Sequence, residues 1–154
     1  MMEIENVYNV FSKIKNECCT EISSTLNLKN KLTSYINNND LVSAAASASI
    51  IENNLTIDLS HFNLKLECKE SLKLYDFPPI VASCIEMHFF LREEDIFHSV
   101  LKIFITQDGY IVKDVFSSDY ICKTENEYRG KKVFEEIISS LIDKGHIVLT
   151  PGQQ

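Results

Sequence analysis

Cys84, Glu86 and His88 occupy every second position at the start of the segment CIEMHFFLREEDIFHSVLKIF (84–104), and a second histidine, His98, follows ten residues after His88. Thiolate, carboxylate and imidazole are ligand types suited to zinc, and a carboxylate beside an imidazole is also an acid–base pair. Spacing restricts the metal option. On an extended strand, side chains at i, i+2 and i+4 spread over about 13 Å, too far for bonds of about 2 Å to draw all three onto one ion. A metal would have to be shared by His88, His98 and one carboxylate. A metal-dependent enzyme or metal-binding protein using Glu86, His88 and His98 is therefore one expected alternative. The competing expectation is a β-hairpin whose outward half carries these groups, with Glu86 opposite Lys102 in a cross-strand pair worth roughly 0.2–1 kcal/mol.

Other chemistry has less to stand on. Cys122 and His146 are residue types of a nucleophile–base pair, but no local signature brings them together. The four glycines, at 109, 130, 145 and 152, are isolated and form no phosphate-binding loop. The one basic run, RGKK (129–132), is surrounded by Glu125, Glu127, Glu135 and Glu136, which predicts a solvated helix side with pairs such as Lys131–Glu135 and Lys132–Glu136. No catalytic residue and no cofactor is expected.

The hairpin register decides which side chains share a face. Placing Leu91 opposite Phe97 gathers Ile85, Met87, Phe89, Leu91, Phe97, Ser99, Leu101, Ile103 and Ile105 on an apolar face. Cys84, Glu86, His88, Phe90, His98, Val100, Lys102 and Phe104 then share the other. The dipeptide Asp108–Gly109 predicts a two-residue turn pairing Gln107 with Tyr110. That turn puts Val112 and Phe116 on the apolar face, Ile111 and Val115 on the mixed one, and Asp114 awkwardly toward Ile103. Large apolar groups on the mixed face predict cover by a loop or contact with another protein, a homodimer included.

The elements around this hairpin follow from periodicity. Ile4, Val7, Phe11, Ile14 and Cys18 mark one stripe of a helix that can be buried, and a less regular apolar set runs from Ile22 to Ile36. Asn37 to Asp40 predict a break, with Asp40 capping a further helix over LVSAAASASII. From about residue 54 the period becomes 2, predicting two or three short strands before Pro78 and Pro79 force a connection. A last strand, YIVKDVF, precedes a helix from about Glu125 to Lys144, for which Gly145 is a left-handed terminator; the tail HIVLTPGQQ can add a short strand. The expectation is a single α+β domain over 1–154: mainly helical over 1–53, antiparallel strands over 54–116, and a helix over 125–144. Its sheet has about five to six strands, with helices against one face.

Charge narrows the function class. The chain carries a formal net charge of −7, and both halves share it: residues 1–80 have 10 acids against 7 bases, and residues 81–154 have 12 against 8. Nucleic acid binding normally begins with a positive field, so direct nucleic acid contact is not expected. No stretch is long and apolar enough for a membrane span or a signal peptide, and the five cysteines are odd in number, so a cytoplasmic protein without disulfides is expected. Asn54–Thr56 fits a glycosylation signal that has no use there. Glu93, Glu94 and Asp95 cluster at one turn, and Asp119 follows the last strand, a negative field suited to capturing a basic protein partner.

In size, charge and lack of catalytic motifs the chain resembles immunity proteins and antitoxins, which block toxic nucleases with an acidic surface. Small acidic secretion chaperones share the same general profile. The resemblance implies a protein-binding inhibitor that covers a basic cleft. The contact residues expected are Glu93, Glu94, Asp95, Phe90, Phe104 and Asp119.

Overall fold

The structure, a computed structural model, describes residues 4–17, 25–74 and 83–152. An antiparallel sheet of seven strands organises it, with sequence neighbours paired in order from first to last. The strands are β1 (Ser47–Ile51), β2 (Asn54–Leu59), β3 (Leu64–Leu74), β4 (Ser83–Glu93), β5 (Ile96–Thr106), β6 (Tyr110–Val112) and β7 (Cys122–Lys123). The helices are α1 (Ile4–Glu17), α2 (Thr25–Asn38), the single turn α3 (Asp40–Ser43) and α4 (Arg129–Asp143). The α+β expectation holds in this coarse form, with seven strands where about five to six are expected; β1 and β7 are the additions.

The first addition has a local cause. Residues 44–51 do not continue a helix, although alanine favours one by a few tenths of a kcal/mol per residue. Instead Ile51 pairs with Asn54 across a two-residue turn in which Glu52 and Asn53 both have positive φ, 52° and 67°. That geometry matches the twist of paired strands, and the ladder it starts outweighs the local preference. Helix α3 is capped by Asn39, not Asp40: the Asn39 side-chain oxygen accepts from the backbone N–H groups of Leu41 and Val42, each at 3.0 Å. Strand β7 is only two residues long and carries no periodic signal. The tail adds no strand among the described residues.

Helices α2 and α4 lie against each other and against one face of the sheet. Leu28, Leu32 and Ile36 of α2 and Val133, Phe134, Ile137 and Leu141 of α4 form the helical side of the core. Leu55 and Ile57 of β2, Leu66 of β3, Ile85, Met87 and Phe89 of β4, and Ile103 of β5 oppose them. The helices approach so closely at Gly130 that an added Cβ would lie 2.5 Å from the Lys31 carbonyl oxygen. Gly145 ends the α4 region with φ +81°, as the sequence predicts. Helix α1 forms where expected, but Val7 and Phe11 of its stripe are exposed. Cys18 and Ile22, like Pro78 and Pro79, lie outside the described residues.

Helix side chains also meet the sheet's open backbone. At β1 the Asn37 amide donates to the Ala48 carbonyl and accepts from the Ala48 N–H, both at 2.9 Å, in the pattern of a neighbouring strand. Strand β6 pairs with β5 only at Phe104 and Ile105. Farther along β5, Ser140 Oγ donates to the Val100 carbonyl and Lys144 Nζ to the Ser99 carbonyl, the latter at 3.0 Å.

Candidate functional site

The β4–β5 hairpin is present, but its register differs from the expected one. From Cys84↔Thr106 to Phe89↔Leu101 the ladder is regular; a bulge between Phe89 and Phe90 then leaves Val100 as the extra residue, and pairing resumes at Phe90↔Ser99 and Leu91↔His98. One unpaired residue reverses the side-chain parity of everything beyond it. His98 therefore turns to the helix side with Leu91, where its ring stands 6.0 Å from that of His146. Val100 is buried in the main core, whereas Phe97 and Ser99, expected on the apolar face, join the mixed one.

This parity change separates the proposed ligand set. Glu86 and His88 face away from the helices while His98 faces toward them, and no group of three His, Cys, Asp or Glu suited to a metal occurs among the described residues. His88 Nε2 hydrogen-bonds Ser99 Oγ at 2.8 Å, and His98 Nε2 lies 3.5 Å from Glu93 Oε2. Burial, followed by the ammonium of Lys102, lowers the His88 pKa below the ordinary imidazole value. Lys102 pairs across the strands with His88 and reaches Glu86 diagonally, Nζ to Oε1 at 3.9 Å. The Glu86–Lys102 attraction is thus present in looser geometry than expected.

Beyond the bulge, the mixed face becomes an aromatic and charged cluster. Phe90 is buried, 9% exposed, and meets Phe97 edge-on at 5.2 Å. The Arg92 guanidinium lies 4.9 Å from the Phe97 ring centroid. Arg92 Nε is also 3.2 Å from Glu67 Oε2 of β3, close enough for charge attraction but not aligned as a hydrogen bond. Phe97 itself remains 57% exposed. The strands close through Glu94 and Asp95, with Glu94 in the left-handed region at φ 55° and Glu93 paired with Ile96. Glu93, Glu94, Asp95 and Ile96 are all exposed, Ile96 at 62%.

Phe104 and Asp119 lie elsewhere. By register Phe104 is eight residues from Ile96 on β5, about 26 Å along an extended strand. Phe104 is half-buried beside a second cluster, Cys84, Val112 and Val115, which also contacts Tyr110. Cys84 is completely buried there, so it is not the outward ligand its position in the alternation suggests. Asp119 belongs to the loop 113–121. Strand β6 ends at Val112, and three residues, 107–109, join it to β5, so Ile111 pairs with Ile105 and enters the core. Val112 turns to the opposite face, and Phe116 is exposed. Asp114, freed from any strand, accepts the Phe116 N–H at 2.9 Å, which removes its expected conflict with Ile103.

The remaining sequence candidates separate as well. Cys122 lies by the start of α4, where Lys132 and Arg129 oppose the effect of burial, yet burial dominates and raises the thiol pKa. His146 follows the other end of α4, a 15-residue helix about 22 Å long, so the two do not form a nucleophile–base pair. In the basic run, Gly130 is buried and Arg129 Nη1 donates to the Asn126 carbonyl at 2.8 Å. Glu136 pairs with Lys113 at 3.0 Å.

Sequence reasoning misses Arg92, Phe97 and Ile96 as surface features because the bulge that places them carries no compositional mark. No protein-family model matches the chain, and neither a curated protein nor a solved structure matches it. Among the described residues, no helix is long and apolar enough to cross a membrane.

Proposed function

We propose that this protein is a protein-binding module of the inhibitor type, acting as immunity proteins and antitoxins do, and that it meets a basic partner with the end of the β4–β5 hairpin. The observation carrying this reading is the exposure of Ile96 and Phe97 directly beside three consecutive acids, Glu93, Glu94 and Asp95. Large apolar anchors with a charged rim are the usual anatomy of a protein interface, and aromatic and arginine side chains supply a disproportionate share of its energy. Phe97 is held between Phe90 and Arg92 before any partner arrives, which reduces the ordering cost of association.

The acids would speed encounter with a positive surface, and Ile96 and Phe97, on opposite faces of the hairpin end, would fix the dock. Covering a basic nuclease-like cleft in this way excludes nucleic acid by bulk and by charge, without chemistry. Phe104 and Asp119 do not contribute to this surface.

Affinity purification from the native lysate tests the reading. The wild-type protein should retain a partner that is lost both in Phe97→Ala and in the triple variant Glu93→Lys, Glu94→Lys, Asp95→Lys. The exposed helix variant Ser139→Ala should retain it. An empty wild-type bait, or equal recovery by all four proteins, would remove this surface from consideration.

A further inference from the structure

On the sheet face away from α4, the turn between β5 and β6 and the loop 113–121 line an open pocket of about 260 Å³. Its apolar wall is formed by Val112 and Val115, both buried. Tyr110 and Tyr120 stand beside them with ring centroids 5.0 Å apart and planes tilted by 50°. Among the described lining residues Asp108 supplies the carboxylate, and none is a lysine or an arginine. From these features we infer that this is a binding site for an organic ammonium head group.

The chemistry follows from the faces presented. The negative faces of aromatic rings attract a cation that carries its own apolar surface, and a carboxylate adds charge without requiring a directed N–H donor. A quaternary ammonium satisfies both conditions: its methyl groups fit the valine wall while its positive charge meets the tyrosines and Asp108. An anion would meet the Asp108 carboxylate and find hydroxyl donors but no cationic side chain among the described lining residues. The nearby lysines are turned to other roles or to solvent. Lys113 is engaged by Glu136, and Lys123, paired across the strands with Tyr110, is exposed.

The walls are built in advance. Thr106 Oγ1 donates to Asp108 Oδ1 and accepts the Tyr110 N–H at 3.1 Å, joining the carboxylate to the strand that carries one ring. In the loop, Asp114 accepts the Phe116 N–H, Ser117 Oγ accepts the Asp119 N–H at 3.1 Å, and Ile121 donates to the Ile111 carbonyl at 2.7 Å. Tyr120 is thus carried by a loop whose turns are fixed by its own side chains. This site is separate from the hairpin end and does not depend on the role proposed for it.

Two-dimensional NMR titration with choline chloride, against its neutral carbon isostere 3,3-dimethylbutan-1-ol and against sodium chloride, tests the inference. Choline should shift resonances of residues 106–121, with the isostere about tenfold weaker, the ratio expected from one cation–ring contact. Asp108→Asn and Tyr120→Leu should each weaken choline several-fold while the remaining spectrum stays unchanged; the leucine keeps apolar bulk and removes the ring. Nα-acetyl-Nε-trimethyl-lysine methylamide, titrated in parallel, distinguishes a side-chain source of the head group from a free small quaternary ammonium by which of the two binds more tightly. Equal binding of choline and the isostere, shifts no greater than those of sodium chloride, or unchanged affinity in both variants would overturn the inference.

Discussion

Lys29 Nζ of α2 lies 2.7 Å from Glu70 Oε1 of β3, with the lysine side chain 2% and the glutamate 11% exposed. The pair does not stand alone. Thr25 Oγ1 donates to Glu70 Oε2 at 2.8 Å, and Lys29 Nζ also donates to the carbonyl of Asn53 in the β1–β2 turn. One ammonium therefore ties a helix, a turn and a strand together, within a core that is otherwise mostly apolar.

Removing one member of such a pair leaves a poorly solvated charge behind. Lys29→Ala is expected to cost about 3–5 kcal/mol, whereas the double change Lys29→Met with Glu70→Leu should recover most of that loss. Urea denaturation of the three proteins decides the matter; a mild single variant would mean that water reaches the site.

Gly130 sets the separation of α2 and α4. Gly130→Ala should gain up to about 1 kcal/mol in helix propensity, yet the contact with the Lys31 carbonyl predicts a net loss of about 1–3 kcal/mol through overpacking. A higher midpoint in chemical denaturation would contradict the close approach of the helices.

The buried thiols should be chemically quiet. Burial, reinforced by Glu70 and opposed by Lys29, pushes the Cys68 thiol far above the ordinary cysteine range, and burial also raises Cys122. Since the thiolate is the reactive form, neither should be alkylated by iodoacetamide at about pH 8 until the protein unfolds. Peptide mapping after labelling, with and without urea, provides the check. Rapid native labelling of Cys68 would show that its surroundings open.

His88 predicts a mild acid sensitivity. Its folded-state pKa lies below the ordinary value because of burial and Lys102, so above about pH 6.5 both folded and unfolded forms are neutral and its contribution is fully present. As pH falls through that value the unfolded imidazole takes up its proton first, and stability declines until the folded pKa is crossed. Denaturation midpoints from about pH 7 to about pH 5 should therefore fall less steeply in His88→Gln than in wild type. Parallel curves would exclude the histidine as a cause.

Much of this fold is legible in residue order. The 2-period of residues 54–74 and the stripe Val133, Phe134, Ile137 and Leu141 announce β2, β3 and α4, because burial of one face imposes its own repeat. Three features leave no such mark. The bulge at Val100 lies in a run of alternately suitable residues, so only the three-dimensional ladder reveals that His98 and Phe97 exchange faces. The alanines before β1 point to a helix until the Glu52–Asn53 turn is known. The loop over Cys84 brings Val115 into contact from about thirty residues away, a pairing that no local period encodes.

The Asn37 amide at β1 and the Ser140 and Lys144 contacts at β5 have a consequence for how this protein behaves in a crowded solution. A sheet grows from molecule to molecule only where a strand offers unoccupied backbone donors and acceptors in phase. Helix residues already occupy such groups at both places and act as chain terminators for β-polymerisation. Asn37→Ala combined with Ser140→Ala is therefore expected to retain native circular dichroism yet scatter light sooner on concentration, an effect absent if those edges are sealed by other means. Colloidal solubility in this molecule is thus partly a property of its helices: fraying the last turn of α4 would release the contacts at β5 and leave an adhesive strand in their place.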